Sequence, residues 1–436
     1  MEPFAVGIIA FIALFALIFL KVPIAFAFAF TGFLGLIYLA GFEPAMSVLT
    51  MSIWTGITSY TLMAVPLFIL MGLFASHSGI GGGLYNAASK WLGKLPGGLA
   101  IATTWGCAGF AACTGSSAAG MLVFGPISYE PMKDAGYSKT LALGTICCGA
   151  TIGSMIPPSI SFIVYGSITD ESIGRLFMAG VFPGILEAVL YSITIFLLIY
   201  LGIWKGPAGA PSTWKEKLLS LKGVWGMLLL MGLVIGGIYR GIFTPTEASG
   251  IGALGAFILL LARKGFNWTL IKSSLLETMR TTSMVFTIII GSIVFARLMA
   301  LSGLNMWLLD LIIGWNAPPV VIVIITLLIL FLLGFVMPVT STIVLLVPFL
   351  YPIFTTVLGY SGIWFGVLVC VMAEIAVVTP PIGMNLFMMK GLFGKDATMG
   401  EIFKGAFPFV LADVVRVVIL VAFPAICLWL PGTMYG

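Results

Sequence analysis

The sequence predicts an all-α polytopic membrane protein made of two inverted-topology repeats, each with about five spans and one re-entrant helical hairpin. Three observations lead there. Hydrophobic residues make up 61% of the chain and charged residues 8%, where a soluble domain carries roughly 25% charged residues. These side chains cannot supply a water-facing surface. Some apolar runs are interrupted by small and hydroxyl-bearing residues before they reach the roughly 20 residues that a bilayer span needs. A series of motifs in the first half also recurs in the second, in the same order and at an offset of 223 to 226 residues.

Residues 3–20 and 22–40 are two apolar runs hinged at Lys21, Val22 and Pro23. Residues 42–60 are less apolar and suit the membrane interface. The third span, 62–76, contains Pro66, and the lost backbone donor predicts a mild break there. Residues 79–94 are glycine-rich and then mildly amphipathic, with Lys90, Trp91 and Lys94 suited to a headgroup boundary. The first hairpin is predicted over about 97–132. Its two apolar arms are short for a span, and Thr114, Gly115, Ser116 and Ser117 lie between them. Irregular backbone at membrane depth persists only where protein or a water-filled cavity surrounds it, so this tip is a candidate binding site. The next run starts at Thr140, meets Ile156, Pro157, Pro158 and Ser159 partway, and resumes to about Ser167. Asp170 and Glu171 mark its exit, residues 176–203 return, and 204–223, with four lysines, read as a cytoplasmic linker.

Beyond the linker, Ser78-Gly79 recurs as Ser302-Gly303, Trp91 as Trp315, and Ser116-Ser117 as Ser341-Thr342. Gly136-Tyr137-Ser138 recurs as Gly359-Tyr360-Ser361, Pro157-Pro158 as Pro380-Pro381, and Phe182-Pro183 as Phe407-Pro408. A register held this long is an internal duplication, a hallmark of secondary transporters. The repeats are 1–203 and 224–436, and the second hairpin spans about 318–356. Its tip is Val339, Thr340, Ser341 and Thr342. Each tip has a proline break in its own half, at Ile156, Pro157 and Ser159 or at Val378, Thr379 and Pro380, with Gly383 and Asn385 beyond the second.

An odd number of spans per half inverts the second half. With the N-terminus outside, Lys21, Lys90, Lys94, Lys133, Lys139, the linker lysines, Arg263, Lys264, Lys272, Lys390, Lys395 and Lys404 all fall inside. That bias satisfies the positive-inside rule. It puts both termini on the outer face and brings the two tips together near the midplane.

Proline breaks free carbonyls upstream. With Ser and Thr hydroxyls these are hard oxygen ligands for a small cation such as Na⁺, while restarting half-helices aim positive N-terminal ends inward, as an anion requires. Thr114, Gly115, Ser116, Ser117, Ile156, Pro157 and Ser159 are therefore candidates for one Na⁺ site. Val339, Thr340, Ser341, Thr342, Val378, Thr379 and Pro380 are candidates for a second. Ser116, Ser117, Ser341, Thr342, Gly383 and Asn385 are candidates for the solute between them. Small residues also serve close helix packing, and a Pro-Pro pair also serves as a plain kink. The joint recurrence of both features in both halves favours binding.

Glu187, Arg297, Glu374, Asp413 and Arg416 fall inside predicted spans, where charge marks function or pairing. Asp413 and Arg416 share a helix face and read as a neutralising pair. Arg297 and Glu374 are candidates for charge roles in transport. The net charge of +5 is spread over loops and gives no nucleic-acid signal, and the six cysteines have neither disulfide nor metal spacing. With one histidine, no phosphate-cradling loop and no zinc or nucleophile-elbow motif, neither an enzyme nor an ATPase is expected, and no cofactor beyond a coupling ion.

Gly115 to Ala119, Pro131 with Gly136-Tyr137, Ile156 to Ser159 with Tyr165-Gly166, Ser172 to Phe177 and Thr379 to Gly383 together resemble the large membrane subunit of TRAP transporters, the tripartite ATP-independent periplasmic transporters. The resemblance covers essentially the whole chain. It implies an ion-transporter-superfamily elevator fold in a bacterial inner membrane, with a transport domain of about 97–184 plus 318–408 and a scaffold of the remaining spans. It also implies Na⁺-coupled uptake of an organic acid such as a C4-dicarboxylate, sialic acid or isethionate. The implied partners are a periplasmic substrate-binding protein and a small four-helix membrane subunit, expected as a separate chain. A stand-alone divalent anion/Na⁺ symporter is the alternative, and a structural membrane protein with a vestigial repeat a more distant one.

Overall fold

The computed structural model describes residues 2–315 and 317–434. The chain ends, whose side of the membrane the sequence predicts, and Asn316 lie outside the described residues. Among the described residues all regular structure is helical, the only open form whose backbone groups are satisfied without water.

The chain opens with α1 (Pro3–Phe19) and α2 (Ile24–Ala40), separated where Lys21 takes a left-handed conformation, φ 65°. After α3 (Phe42–Thr58) comes α4 (Ala64–His77). The break expected at Pro66 is absent, because this proline falls in the first turn of α4, where no intrahelical donor is needed. At Gly79 the chain bends by 66° into α5 (Ile80–Leu92). The hairpin is α6 (Gly98–Thr114) and α7 (Ser117–Asp134). Helix α8 (Lys139–Gly149) tightens into a 3₁₀ turn, Ala150–Ser154, before the proline break, and α9 (Ile160–Thr169) and α10 (Ile173–Tyr200) follow.

The linker contains α11 (Trp214–Leu221), after which come α12 (Trp225–Tyr239), α13 (Pro245–Lys264) and α14 (Trp268–Ser302). At 35 residues α14 is roughly 50 Å long, more than a ~30 Å hydrocarbon layer needs. Its surplus is the polar first half with Lys272, Glu277 and Arg280. Next are α15 (Leu304–Gly314), α16 (Pro319–Gly334), and α17 (Val339–Pro352) with a π-helical turn, Ile353–Val357. The chain closes with α18 (Gly362–Val378), α19 (Met384–Phe393), α20 (Met399–Ala422) and α21 (Ala425–Gly432). Helices α10, α13, α14, α17 with its π turn, and α20 are each long and apolar enough to cross a membrane alone.

The helices sort into an inner bundle and an outer group. Every residue of α18 is buried, as is α8 from Leu141 onward. Helix α18 packs on α9, α10, α16, α17 and α20, and α8 packs on α6, α7 and α20. At the last contact Gly144 meets Gly405 so closely that a Cβ on Gly144 would lie 2.8 Å from the Gly405 Cα, the small-residue packing that draws membrane helices together. In the outer group α2 packs on α14 and α4 on α13. Phe26, Phe30, Leu34 and Tyr38, four residues apart on α2, are exposed and form one apolar stripe.

The linker is tied down. Thr213 and Glu216 form a capping box at the start of α11, and Lys90 of α5 lies 3.6 Å from Glu216. The Tyr137 hydroxyl donates to the Pro207 carbonyl at 2.9 Å and accepts from the Leu99 N–H at 3.1 Å, which ties the linker to the base of the hairpin.

Candidate functional site

The first tip is built by a helix C-cap followed at once by an N-cap. Gly115 is left-handed, φ 58°, and donates its N–H to the Ala111 carbonyl at 3.0 Å, closing α6 as αL glycines do. The Ser116 hydroxyl accepts from the Ala119 N–H at 3.5 Å and starts α7. This tip rests on its own half's break. A Cβ on Gly115 would strike the Pro158 carbonyl and lie 3.3 Å from the Ile160 nitrogen, and one on Gly153 would lie 3.0 Å from the Ser116 oxygen. Gly115 is thus brought against Pro158, and Ser116 and Ser117 against Gly153 just ahead of the break, whereas Thr114 packs on Gly72 of α4. Both Pro-Pro bonds, Pro157–Pro158 and Pro380–Pro381, are cis.

Three of the first-half candidates are otherwise engaged, Thr114 by donating its hydroxyl to the Phe110 carbonyl at 3.4 Å. The Ser159 hydroxyl donates to the Ser154 carbonyl at 2.5 Å and accepts from the Phe162 N–H at 3.4 Å, so it caps α9. Ile156 packs its side chain on Gly184 of α10 and against the cluster that includes Phe110, Ala112 and Cys113 of α6.

In the second half Ser341 is fully buried and its Oγ has no hydrogen-bond partner among the described residues. Thr342 Oγ1 donates to the Pro338 carbonyl at 3.3 Å, and Thr379 Oγ1 to the Ile375 carbonyl at 2.6 Å, closing α18 one residue beyond Val378. Gly383 packs against the Val377 and Thr379 carbonyls, where a Cβ would lie 2.7 and 2.9 Å from the two oxygens. Val339, Thr340 and Pro380 are half-buried. Asn385 is 5% exposed, and its Nδ2 has no partner.

The two halves interlock. Return arm α7 packs on α19, with the Tyr129 and Phe393 rings 4.5 Å apart, and α17 packs on α9. Glu374 of α18 is 2% exposed, with the Ser154 and Ser117 hydroxyls and the Glu187 and Arg416 charges nearby and its Oε2 without a hydrogen-bond partner among the described residues. Its sequence neighbours point to the second break; the fold gives it to the first. Arg297 is exposed on α14 and makes no hydrogen bond or ion pair with another described residue.

Ser341, Asn385 and Glu374 therefore each combine burial with an unmet polar atom, and each such atom costs about 1–3 kcal/mol if nothing meets it. Tyr85, Ser89, Thr145, Thr282 and Asn305 also carry unmet atoms. Asp413 and Arg416 carry them too, within their own ion pair; the first three differ in lying at, or close to, a tip or a break. By contrast, a cleft of about 580 Å³ between α1 and α15–α17 is lined by apolar side chains apart from Thr326 and contains none of the candidates.

A second buried cluster holds the break in place. Arg416 pairs with Glu187 and, at 3.0 Å, with Asp413. The Tyr191 hydroxyl donates to Asp413 at 2.7 Å, and Thr151, in the 3₁₀ turn, donates to Glu187 at 2.8 Å. The Asp413–Arg416 pairing read from sequence is present. Glu187, Tyr191 and Thr151 as its other members were missed. The available signal was that Tyr191 and Arg416 share the 225-residue offset of Phe182 and Phe407.

Residues 11–426 match the family described as tripartite ATP-independent periplasmic transporter, DctM component. The chain belongs to that family. A C4-dicarboxylate TRAP transporter large permease of Pseudomonas aeruginosa is 34% identical over 86% of this chain and 86% of its own. Its counterpart in Vibrio cholerae is 31% identical over 98% and 97%. The isethionate TRAP transporter permease DctMQ of Oleidesulfovibrio alaskensis is 30% identical over 94% of this chain and 64% of that longer one. The solved structure of the YdaH transporter of Alcanivorax borkumensis shares the fold, with a TM-score of 0.62 and 14% identity over 89% of each chain. As a DctM-family permease component the chain is a polytopic membrane transport protein and not an enzyme.

Proposed function

We propose that the chain carries out Na⁺-coupled uptake of a small carboxylate or sulfonate, delivered by a periplasmic binding protein, by an elevator movement of the inner bundle against the outer helices. The observation that carries this reading is the coincidence of buried, unmet polar atoms at Ser341, Asn385 and Glu374 with the tip and break positions. Relatives named for C4-dicarboxylates, isethionate and sialic acid support an organic acid as solute. The greater length of the DctMQ relative supports a further, small membrane subunit as partner.

Reciprocal packing supports the inverted repeat. Helix α2 packs on α14 as α13 does on α4, α8 on α20 as α18 does on α10, and α7 on α19 as α17 does on α9. Under the sequence offset each contact is the image of its partner, as a pseudo-two-fold axis requires. The cation would take the freed carbonyls and hydroxyls of each tip and break. The solute's anionic group would take the starts of α17 and α19. Neither start has a side-chain cap, whereas α7 and α9 are capped by Ser116 and Ser159, and an uncapped N-terminus keeps its donors for an anion.

The test is Ser116→Ala and Ser341→Ala in proteoliposomes, with binding protein and small subunit present. Each is expected to shift the Na⁺ dependence of uptake. Unchanged Na⁺ dependence in both would overturn the site assignment. Uptake of free solute without the binding protein would overturn the tripartite part.

A further inference from the structure

Among the described residues, the buried charged side chains are Glu187, Asp413, Glu374 and Arg416, each no more than 2% exposed. Arg416 is taken by Glu187 and Asp413. Glu374 forms no ion pair among the described residues, although the Glu187–Arg416 charges lie within electrostatic range of it, and a buried carboxylate is stable in its ionised form only with a close counter-charge and satisfied lone pairs. Nearest to it are the Ser154 hydroxyl, ahead of the first break and in the 3₁₀ turn on which α18 packs, and the Ser117 hydroxyl at the first tip. A hydroxyl has lone pairs to offer a cation as well as a proton to donate. The tip backbone is close by, since Gly153, next to Ser154, packs on the Ser116 carbonyl. Carboxylate, hydroxyls and freed carbonyls make a hard, all-oxygen set.

From this geometry we infer that Glu374, supplied by the second half, is a direct cation ligand completing the first-half site with Ser117 and Ser154, and that the two cation sites are therefore unequal. This rests on the Na⁺-coupled reading above and extends it. The position matching Glu374 under the 223-residue offset of Pro157 and Pro380 is Thr151. Thr151 is uncharged, and its hydroxyl already donates to Glu187 and lies 2.5 Å from the Cys148 carbonyl. The second site thus has no equivalent carboxylate from that position, and the first binds its cation more tightly.

The experiment is thermal unfolding of the purified full chain, followed by tryptophan fluorescence during NaCl titration, with choline chloride holding ionic strength. Wild type, Glu374→Gln, Glu374→Asp and Ser154→Ala are compared. Wild type is expected to be stabilised by Na⁺. Glu374→Gln should need on the order of tenfold more Na⁺ for half the effect, the loss of about 1.4 kcal/mol of binding. The other two should fall between. A folded Glu374→Gln with the wild-type midpoint overturns the inference. If that variant does not fold, wild-type midpoints in both Glu374→Asp and Ser154→Ala overturn it instead. Absence of any Na⁺ response in wild type defeats the coupling reading on which it rests.

Discussion

Gly115→Ala isolates the contact between the first tip and its break. Two costs arise. The first is conformational: φ at 115 is 58°, and an L-residue held there costs roughly 1–2 kcal/mol. The second is steric. The new methyl would run into the Pro158 carbonyl oxygen, with its carbon 3.2 Å away and the Ile160 nitrogen at 3.3 Å. Relief requires the tip to lift by on the order of 1 Å, and overpacking of this kind costs roughly 1–3 kcal/mol. Gly136→Ala supplies the control, because Gly136 is also left-handed, φ 79°, with nothing within 4 Å of an added Cβ. It should lose only the conformational part. The expected difference, about 1–3 kcal/mol, is read from thermal unfolding of the two variants side by side. In proteoliposomes Gly115→Ala should lose most uptake while Gly136→Ala keeps it. Equal stability and equal uptake in the two variants would show that the tip does not bear on Pro158, and the site geometry would have to be abandoned.

Arg416→Met strands two buried carboxylates and should destabilise the chain by about 3–5 kcal/mol, measured by thermal unfolding. Replacing Glu187, Asp413 and Arg416 together with Gln, Asn and Met should recover most of that loss; no recovery would mean that the cluster is not an isolated charge balance. Thr213→Ala removes the cap of α11 and should cost about 1 kcal/mol locally, seen as faster amide exchange over 214–221 with the bundle unaffected. Glu216 in the same box is held below its usual carboxylate range, first by the Thr213 backbone N–H, then by the Thr213 hydroxyl and Lys90. A depressed carboxylate contributes stability above its unfolded pKa and loses it as pH falls through the folded value. Protection factors over 214–221, with exchange corrected for its intrinsic pH dependence, should therefore fall on acidification below the ordinary glutamate range, near pH 4, and acid-insensitive protection would refute this.

Much of this geometry was legible because membrane burial turns local chemistry into visible pattern. The apolar run that the sequence shows interrupted by small residues forms two helices, α6 and α7, and the chain turns between them at Gly115. Both proline breaks end helices where the lost donors require. Direction was not legible. Nothing in the string Ile156, Pro157, Pro158, Ser159 says that Ile156 turns to α10 or that Ser159 is spent as a cap. Arg297 looked like an interior charge because its neighbours are apolar, yet α14 presents it outward. The linker is recognisable from its lysines, prolines and glycines, but its pinning through Tyr137, 70 residues away from its acceptor, is not. In each case the deciding partner is remote in sequence, where periodicity carries no information.

Duplication alone yields two equal sites, but moving a cation and an anion together requires sites that differ. The two halves differ in ways that bear on this. Helix α8 tightens to a 3₁₀ turn before its break, and its Thr151 is drawn to Glu187. Helix α18 keeps α geometry to Val378, which carries Glu374 across to Ser117. The first-half helix starts are capped by their own serines, and those of the second half, beginning after Pro338 and Gly383, are not. The first break is buried, while Pro381, Ile382 and Met384 of the second are exposed. On the proposed reading these differences pull in one direction. Acceptors gather on the closed first side, where a bare cation needs dehydration and close ligation. Donors stay free on the open second side, where a larger solute must enter and leave.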